Sequence, residues 1–126
     1  MLQNSRMFSG FSVNDIAAAQ DFYGNILGLQ ISAANGMLEL RTPGDRNTLI
    51  YAKPNHAPAQ YTVLNFPVSD IDATIAALAA KGVTMVRYDG MPQDEKGVKR
   101  GRAADAGPDI AWFTDPAGNV LSILQD

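Results

Sequence analysis

Few side chains in this sequence have the chemistry of a catalytic or metal-binding group. Cysteine is absent and His56 is the single histidine, so thiolate ligands, cysteine nucleophiles and multi-histidine metal sites are excluded. His56 lies in a proline-rich stretch, and a general base at that position needs an orienting partner and a dry pocket. Glu39 stands between two leucines on a predicted strand. Its carboxylate is either a surface group, a hydrogen-bond acceptor or a general base, which makes Glu39 the candidate catalytic residue.

Composition narrows the classes of partner. The chain has 126 residues, of which 46% are hydrophobic, and a formal net charge of −3. An acidic balance argues against a nucleic-acid or anionic-membrane partner. No apolar run approaches the roughly 20 residues of a transmembrane helix, and the first residues lack the pattern of a secretory leader. We therefore expect a cytoplasmic protein that acts on neither nucleic acid nor membrane.

An internal repeat organises the chain. The pattern Phe-x-Val-x-Asp occurs at Phe11–Asp15 and again at Phe66–Asp70, each time after an alternating stretch and before an alanine-rich one. The two aspartates stand where a helix N-cap belongs, and apolar residues follow at helical spacing. Gly28 and Gly82 are placed to end the two helices. The sequence therefore predicts two copies of one strand–helix unit.

Each copy continues with three further predicted strands. The period shifts towards two after each helix, and turn residues separate the last two strands. The order is therefore β-α-β-β-β in a first module of about residues 6–52 and again in a second of about 60–126. The predicted strands are 7–13, 29–32, 37–40 and 48–51 in the first module and 61–68, 83–88, 110–113 and 120–124 in the second. Residues 89–106 carry no clear period, so this segment is a candidate lid or binding loop.

Several phrases resemble those of one superfamily. The residues are Val13-x-Asp15, then Asp21-Phe22-Tyr23 and Leu27-Gly28-Leu29, and finally Trp112 to Leu121 (WFTDPAGNVL). Together they resemble the vicinal-oxygen-chelate superfamily, which contains glyoxalase I, extradiol dioxygenases and bleomycin-resistance proteins. The resemblance implies an α+β fold in which two tandem βαβββ modules pair into a glyoxalase-like curved-sheet cup. Residues 1–126 are then one domain.

The resemblance also implies where a metal site belongs. Family members bind a divalent metal through His, Gln or Glu on the first and last strands of each module. Matched position by position, these places hold Phe8, Val63, Ser122 and Ile50, with Leu49 replacing Ile50 if the turn shifts the register. A catalytic metal needs about three protein ligands, and apolar residues offer neither lone pairs nor charge. We therefore expect neither a metal nor another cofactor.

The same matching predicts what a bound molecule contacts. Asn65 lies two residues beyond Val63 and is either a satisfied amide or a ligand contact, and Ser122 has the same two interpretations. Trp112 and Phe113 are neighbours on a strand, so only one of them faces the cup. Lys96 and Arg102 are candidate lid residues for an anionic group. The predicted cavity is lined by Phe8, Ile50, Val63, Asn65, Trp112 and Ser122.

Two classes of function follow from these observations. The first is a metal-free protein that binds or sequesters a small molecule, by analogy with the bleomycin-resistance proteins. The second is a glyoxalase-like lyase or dioxygenase, which uses either an unusual ligand set including Glu39 and His56 or acid–base catalysis by Glu39 or Asp94. A third possibility is a filled cup and a protein that acts through its surface. Because family members commonly dimerise, we expect a homodimer.

Overall fold

Both helices begin at the aspartate that the sequence predicts. In the computed structural model, which describes residues 1–126, Asp15 and Asp70 have extended backbones and their side chains cap the first turns of α1 (Ile16–Gln20) and α2 (Ile71–Ala80). The Asp15 carboxylate accepts from the Ala18 N–H at 3.1 Å. The equivalent cap bond at Asp70 is 3.0 Å long. Each cap satisfies one of the free N–H groups of a helix start, so both predicted starts are confirmed.

The first helix does not remain an α-helix to its end. Residues Asp21–Ile26 form a π-helix, in which the Leu27 N–H bonds the Phe22 carbonyl at 2.9 Å. The wider turn places the neighbouring rings of Phe22 and Tyr23 together in the core. The segment ends before Gly28, whose positive φ of 75° allows the chain to reverse, as predicted.

The first sheet, sheet A, holds all the strands of the first module. Its members are β1 (Ser9–Val13), β2 (Gln30–Ala34), β3 (Met37–Arg41) and β4 (Thr48–Ala52). Their order is β1-β4-β3-β2, with β1 parallel to β4 and the other pairs antiparallel. Alternation along β3 and β4 buries Leu38, Leu40 and Ile50 on one face with Phe11 and Val13.

The second sheet, sheet B, repeats this topology. Its strands are β5 (Thr62–Pro67), β6 (Lys99–Arg100), β7 (Asp109–Thr114) and β8 (Val120–Gln125). They run in the order β5-β8-β7-β6, with β5 parallel to β8. Ala111, Phe113, Leu121 and Ile123 fill the buried face with residues of α2. The two-module α+β architecture predicted from the sequence is therefore correct.

The strand predicted over 83–88 is wrong. Only Val86 reaches the sheet, through a single bridge to Trp112 in which the Val86 N–H bonds the Trp112 carbonyl at 2.7 Å. A longer strand would use the backbone groups of Val86 and Tyr88 to pair with β7. The Gln93 side chain bonds these groups instead, since it accepts from the Tyr88 N–H and donates to the Val86 carbonyl. The edge strand is instead β6, which pairs with Asp109 and Ile110.

Each module forms a compact unit of its own. The units are Met1–Pro58 and Ala59–Asp126. Each contains one four-stranded sheet and the helix that follows its first strand. No helix in the chain has the length and apolar character that spanning a bilayer requires.

Candidate functional site

Alternation gives each sheet a helix-side face and an opposite face, which we name the distal face. In sheet B, Leu121 and Ile123 pack in the core on the helix side, so Ser122 between them belongs to the distal face. Register then places Asn65 on one side of Ser122 and Trp112 on the other. Three of the predicted cavity residues thus form one row across sheet B, the Asn65–Ser122–Trp112 row.

A short hydrogen bond joins two members of this row. The fully buried Ser122 hydroxyl donates to the Asn65 Oδ1 at 2.6 Å. Asn65 itself is exposed. A buried hydroxyl without a partner destabilises the fold, so this bond explains how a serine is accommodated in a sheet interior. Asn65 is therefore a hydrogen-bonded amide that also reaches solvent, and a ligand contact at Asn65 stays a prediction.

An aromatic pair adjoins the row. The rings of Trp112 and Tyr88 meet edge to face, with centroids 5.7 Å apart and an interplanar angle of 81°. Tyr88 comes shortly after Val86, whose bridge to Trp112 brings this stretch against the sheet. Phe113 lies in the core on the helix side. Of the two neighbouring aromatics, Trp112 is therefore the one on the distal face.

Val63 is not paired in the ladder, unlike Asn65 and Ser122, which were predicted to line the same cavity. The ladder pairs Thr62 with Val120 and Leu64 with Leu121, so Val63 is the extra residue of a β-bulge in β5. The residue that stands directly beside Ser122 is Asn65. The register moves the first-strand side of the candidate site from Val63 towards Asn65, a shift of local pairing that the sequence pattern does not reveal.

The candidate residues of the first module are more dispersed. Phe8 precedes β1 and is 70% exposed, whereas Ile50 is fully buried on the helix side. The predicted placement of Ile50 in a cavity is therefore corrected, because the ladder pairs it with Phe11 and Leu38 of the core face. Leu49, the alternative that the sequence left open, is the β4 residue on the distal face of sheet A.

Glu39 lies beside Leu49 on this distal face, in a polar group of side chains. Its Oε1 is 3.2 Å from the Arg41 Nη2. The Arg41 Nε in turn donates to the Ser32 hydroxyl at 2.7 Å. The sequence did not single out Arg41 or Ser32, although an i, i+2 carboxylate–arginine pair on one strand is the signal for such a contact. The paired carboxylate of Glu39 is suited to hold its neighbours in place.

His56 makes a contact that the sequence analysis did not foresee. A turn, in which the His56 N–H bonds the Lys53 carbonyl, folds back towards the end of β1, where the Lys53 N–H bonds the Val13 carbonyl. The His56 Nδ1 and the Ser12 hydroxyl are then 2.6 Å apart. This contact ties the start of the segment between the two modules to the first module.

The predicted lid residues lie in an ion-pair cluster. Lys96 Nζ is 3.0 Å from a carboxylate oxygen of Asp72 in α2. Arg102 is 3.9 Å from Asp109. Arg100, which stands between them in the chain, bonds both Asp72 and Asp94. Segment 89–106 is thus bound to its own module by these ion pairs, and its role as a lid stays a prediction.

Electrostatics in this cluster favour the ionised carboxylates. Hydrogen bonds from Arg100, then from Lys96, hold the pKa of Asp72 far below its usual range. Burial by itself raises the pKa of Asp94, but hydrogen bonds from the Val98 N–H, Arg100 and the Lys96 N–H outweigh it and lower that pKa. A carboxyl group with a depressed pKa is a poor general base at neutral pH, so Asp94 does not suit the acid–base role considered for it.

This cluster should make stability depend on acid pH. A lowered folded-state pKa stabilises the fold above the unfolded value, about 3.9 for Asp, and this contribution is lost as pH falls towards the folded value. We expect wild type to exceed Asp72→Asn in the free energy of unfolding at pH 7. The difference should shrink between pH 5 and pH 2 in urea titrations. If wild type and Asp72→Asn differed in the free energy of unfolding by the same amount at pH 5 and at pH 2, the lowered pKa of Asp72 would be contradicted.

No three His, Asp or Glu side chains in the chain come together as a potential metal site. The candidate site is the Asn65–Ser122–Trp112 row of sheet B with Tyr88 beside it. The polar group around Glu39 belongs to sheet A and is not part of this row. The row and Tyr88 together can bind a flat molecule and form hydrogen bonds to it.

Comparison with known families agrees with the fold. The sequence profile of the Glyoxalase/Bleomycin resistance protein/Dioxygenase superfamily matches residues 8–123, nearly the whole chain. The chain belongs to this superfamily. No curated protein sequence matches the chain.

Solved structures share this fold over nearly the whole of their chains. TnmS3, an antibiotic-binding protein from Streptomyces sp. CB03234, is 25% identical with a TM-score of 0.66, and the match covers 98% of each chain. A putative glyoxalase family protein from Bacillus anthracis is 18% identical with a TM-score of 0.68 over 100% of this chain and 99% of that one. The fosfomycin resistance protein FosX from Listeria monocytogenes is 14% identical with a TM-score of 0.70, covering 98% and 93%.

The superfamily phrase DPAGN has a structural role here. Asp115 is buried, and its Oδ1 accepts from the N–H groups of Ala117 and Asn119, both at 2.9 Å. Its other carboxylate oxygen accepts from the Asn119 amide at 3.0 Å. The motif therefore closes the turn between β7 and β8 and fixes the register that aligns Trp112 with Ser122.

Proposed function

We propose that this member of the glyoxalase superfamily binds a small organic molecule and sequesters it without a divalent metal. The observation that carries the proposal is the set of residue types at the positions where the resemblance places metal ligands. These positions hold Phe8, Val63, Ser122 and either Leu49 or Ile50. Three of the four are aromatic or aliphatic, so a dication bound there lacks the charge and lone pairs that offset its desolvation.

The row in sheet B supports the binding half of the proposal. Ser122 stands where the resemblance places a metal-ligating glutamate, and its hydroxyl is already bonded to Asn65. Trp112 and Tyr88 add apolar area beside this polar pair. A few polar groups among aromatic side chains are typical of small-molecule sites. TnmS3, an antibiotic-binding protein, offers a precedent for binding on this fold at 25% identity.

In this proposal, the polar group around Glu39 in sheet A has a structural role. Glu39 is ion-paired with Arg41, and the pair leaves Arg41 bonded to Ser32. We assign Glu39 to positioning of Arg41 and not to proton transfer. The homodimer expected from the resemblance stays a prediction.

Native mass spectrometry tests the metal-free assignment. Protein purified without a metal-binding tag should show the mass of the polypeptide, with or without an organic adduct. The same should hold after incubation with excess Zn²⁺ and buffer exchange. The reason is that three of the four positions where the resemblance places metal ligands hold aromatic or aliphatic residues, which offer the ion neither charge nor lone pairs.

A His56→Ala variant is the matched control, because a lone surface histidine can retain zinc weakly. A substoichiometric adduct that disappears with His56→Ala is adventitious and leaves the proposal intact, whereas a stoichiometric adduct that disappears with it points to the unusual ligand set with His56 and contradicts the proposal. A stoichiometric zinc adduct that persists in His56→Ala contradicts the proposal and favours the metal-dependent enzymes of the superfamily.

A further inference from the structure

Burial of Ser122 fixes the orientation of the Asn65 amide. The Ser122 hydroxyl is fully buried and its only hydrogen-bond partner is the Asn65 Oδ1, at 2.6 Å. The amide in the opposite orientation turns its NH₂ towards Ser122, and the buried O–H then has no acceptor. An unmet buried donor is more costly than a satisfied one. The carbonyl side of Asn65 is therefore held by Ser122.

The consequence is a donor aimed away from the protein. With Oδ1 occupied, the exposed Asn65 side chain presents its Nδ2 N–H groups, which bond no other residue of the chain. The indole N–H of Trp112, on the other side of Ser122, is likewise without a protein partner. The Asn65–Ser122–Trp112 row thus offers hydrogen-bond donors at its two ends.

Aromatic surface and one cation border these donors. Tyr88 meets Trp112 edge to face, so a flat ring system finds a matching aromatic neighbour. Lys99 pairs with Ile110 in the ladder, which places it on the same distal face as Trp112, and it makes no ion pair. The nearby Arg100 is bonded to Asp72 and Asp94.

We propose that the ligand of this site is a flat aromatic molecule whose ring system carries a carbonyl-type acceptor, received by the Asn65 Nδ2. The inference rests on the proposed binding function and adds the chemical class of the ligand. A bound ring displaces the water that hydrogen-bonds the Asn65 N–H groups. A ring without an acceptor does not replace those hydrogen bonds, so it should bind less tightly than a ring that carries one. Lys99 adds a preference for an acidic substituent at the rim.

Isothermal titration calorimetry with two matched probes tests the inference. 9-Fluorenone-2-carboxylate and fluorene-2-carboxylate share the same flat ring system and the same carboxylate, and only the first has a ring carbonyl. The wild-type chain should bind the fluorenone about fivefold tighter, as expected for one hydrogen bond to a neutral acceptor. Because both probes carry the same carboxylate, any contact with Lys99 affects both equally and does not change the ratio of their dissociation constants.

Asn65→Asp is the decisive variant, because a carboxylate still accepts from Ser122 but has no N–H to donate. We expect the ratio of the two dissociation constants to fall to about one. Asn55→Asp adds the same charge at an exposed position and should keep the wild-type ratio. Circular dichroism of both variants verifies that the fold is unchanged.

The outcomes separate the inference from the proposal beneath it. A wild-type chain that binds both probes equally overturns the inference and retains the binding function. An Asn65→Asp chain that keeps the preference for the ketone overturns the inference in the same way. A wild-type chain that binds neither probe at millimolar concentration overturns the ligand class, whereas the zinc experiment separately decides the metal-free assignment.

Discussion

Replacing Asp115 by alanine should lower the free energy of unfolding by about 3 kcal/mol, since several buried donors lose their acceptor at once. Asp115 is 4% exposed and its two carboxylate oxygens accept from Ala117 N–H, Asn119 N–H and the Asn119 amide. The two Asn119 groups are buried in the β7–β8 turn and the Ala117 N–H is partly buried, so water replaces the lost partner only in part. Urea denaturation of wild type and Asp115→Ala measures the effect.

Asp89→Ala is the matched control for this change. It removes the same carboxylate from an exposed position, so the free energy of unfolding should change by about 0.5 kcal/mol or less. Similar losses in the two variants would mean that the DPAGN turn contributes little to the stability of the second module. Asp115→Asn should fall between the two, because its single oxygen keeps part of the network.

Gly101→Ala should destabilise the chain by about 3 kcal/mol or more, close to the largest effects of overpacking. A Cβ at this position lies 2.5 Å from the Pro108 carbonyl oxygen, 2.8 Å from that of Gly107 and 3.0 Å from that of Ala106. All three are backbone atoms, so the turn after β6 has to move as a whole. Thermal and urea unfolding both report the loss.

Gly24→Ala provides the comparison for Gly101→Ala. Gly24 lies in the π-helix, where a new Cβ meets only the end of the Ile31 side chain at 3.4 Å. Alanine favours helical backbone over glycine by up to about 1 kcal/mol, so this variant should be neutral or slightly more stable. Equal destabilisation of both variants would show that loss of glycine flexibility, rather than contact with the carbonyls, explains the Gly101 result.

The Gly101 prediction also concerns the candidate site. The turn that follows Gly101 holds β6 against β7, and the Arg100 side chain binds the preceding segment through Asp94. That segment includes Tyr88, which contacts Trp112. A displaced turn should therefore weaken binding of both fluorene probes together, without altering their ratio.

Local signals determined much of this architecture. Asp15 and Asp70 cap helices where the repeat placed them, and Gly28 has the positive φ expected of a helix end. Seven of the predicted strands are found close to their expected positions. These features were predictable because a cap, a glycine turn and an alternating strand each depend on residues that are near one another in the chain.

Register was decided only by the tertiary structure. Whether Ile50 or Leu49 shares a face with Glu39 depends on a single residue of pairing, and the ladder selected Leu49. The bulge at Val63 in the same way brought Asn65 beside Ser122. A bulge depends on pairing with the neighbouring strand, so the sequence of the bulged strand does not by itself predict it.

Segment 89–106 shows the same division most clearly. From sequence alone, Lys96 and Arg102 are candidate lid residues on a segment without clear periodicity. In the folded chain they approach Asp72 and Asp109, and Gln93 takes the backbone groups of Val86 and Tyr88 that a strand over 83–88 requires. The sequence by itself determined the two modules, their helix starts and their family. Which side chains meet at the candidate site was decided by contacts between distant residues, whose energies exist only once the chain has folded.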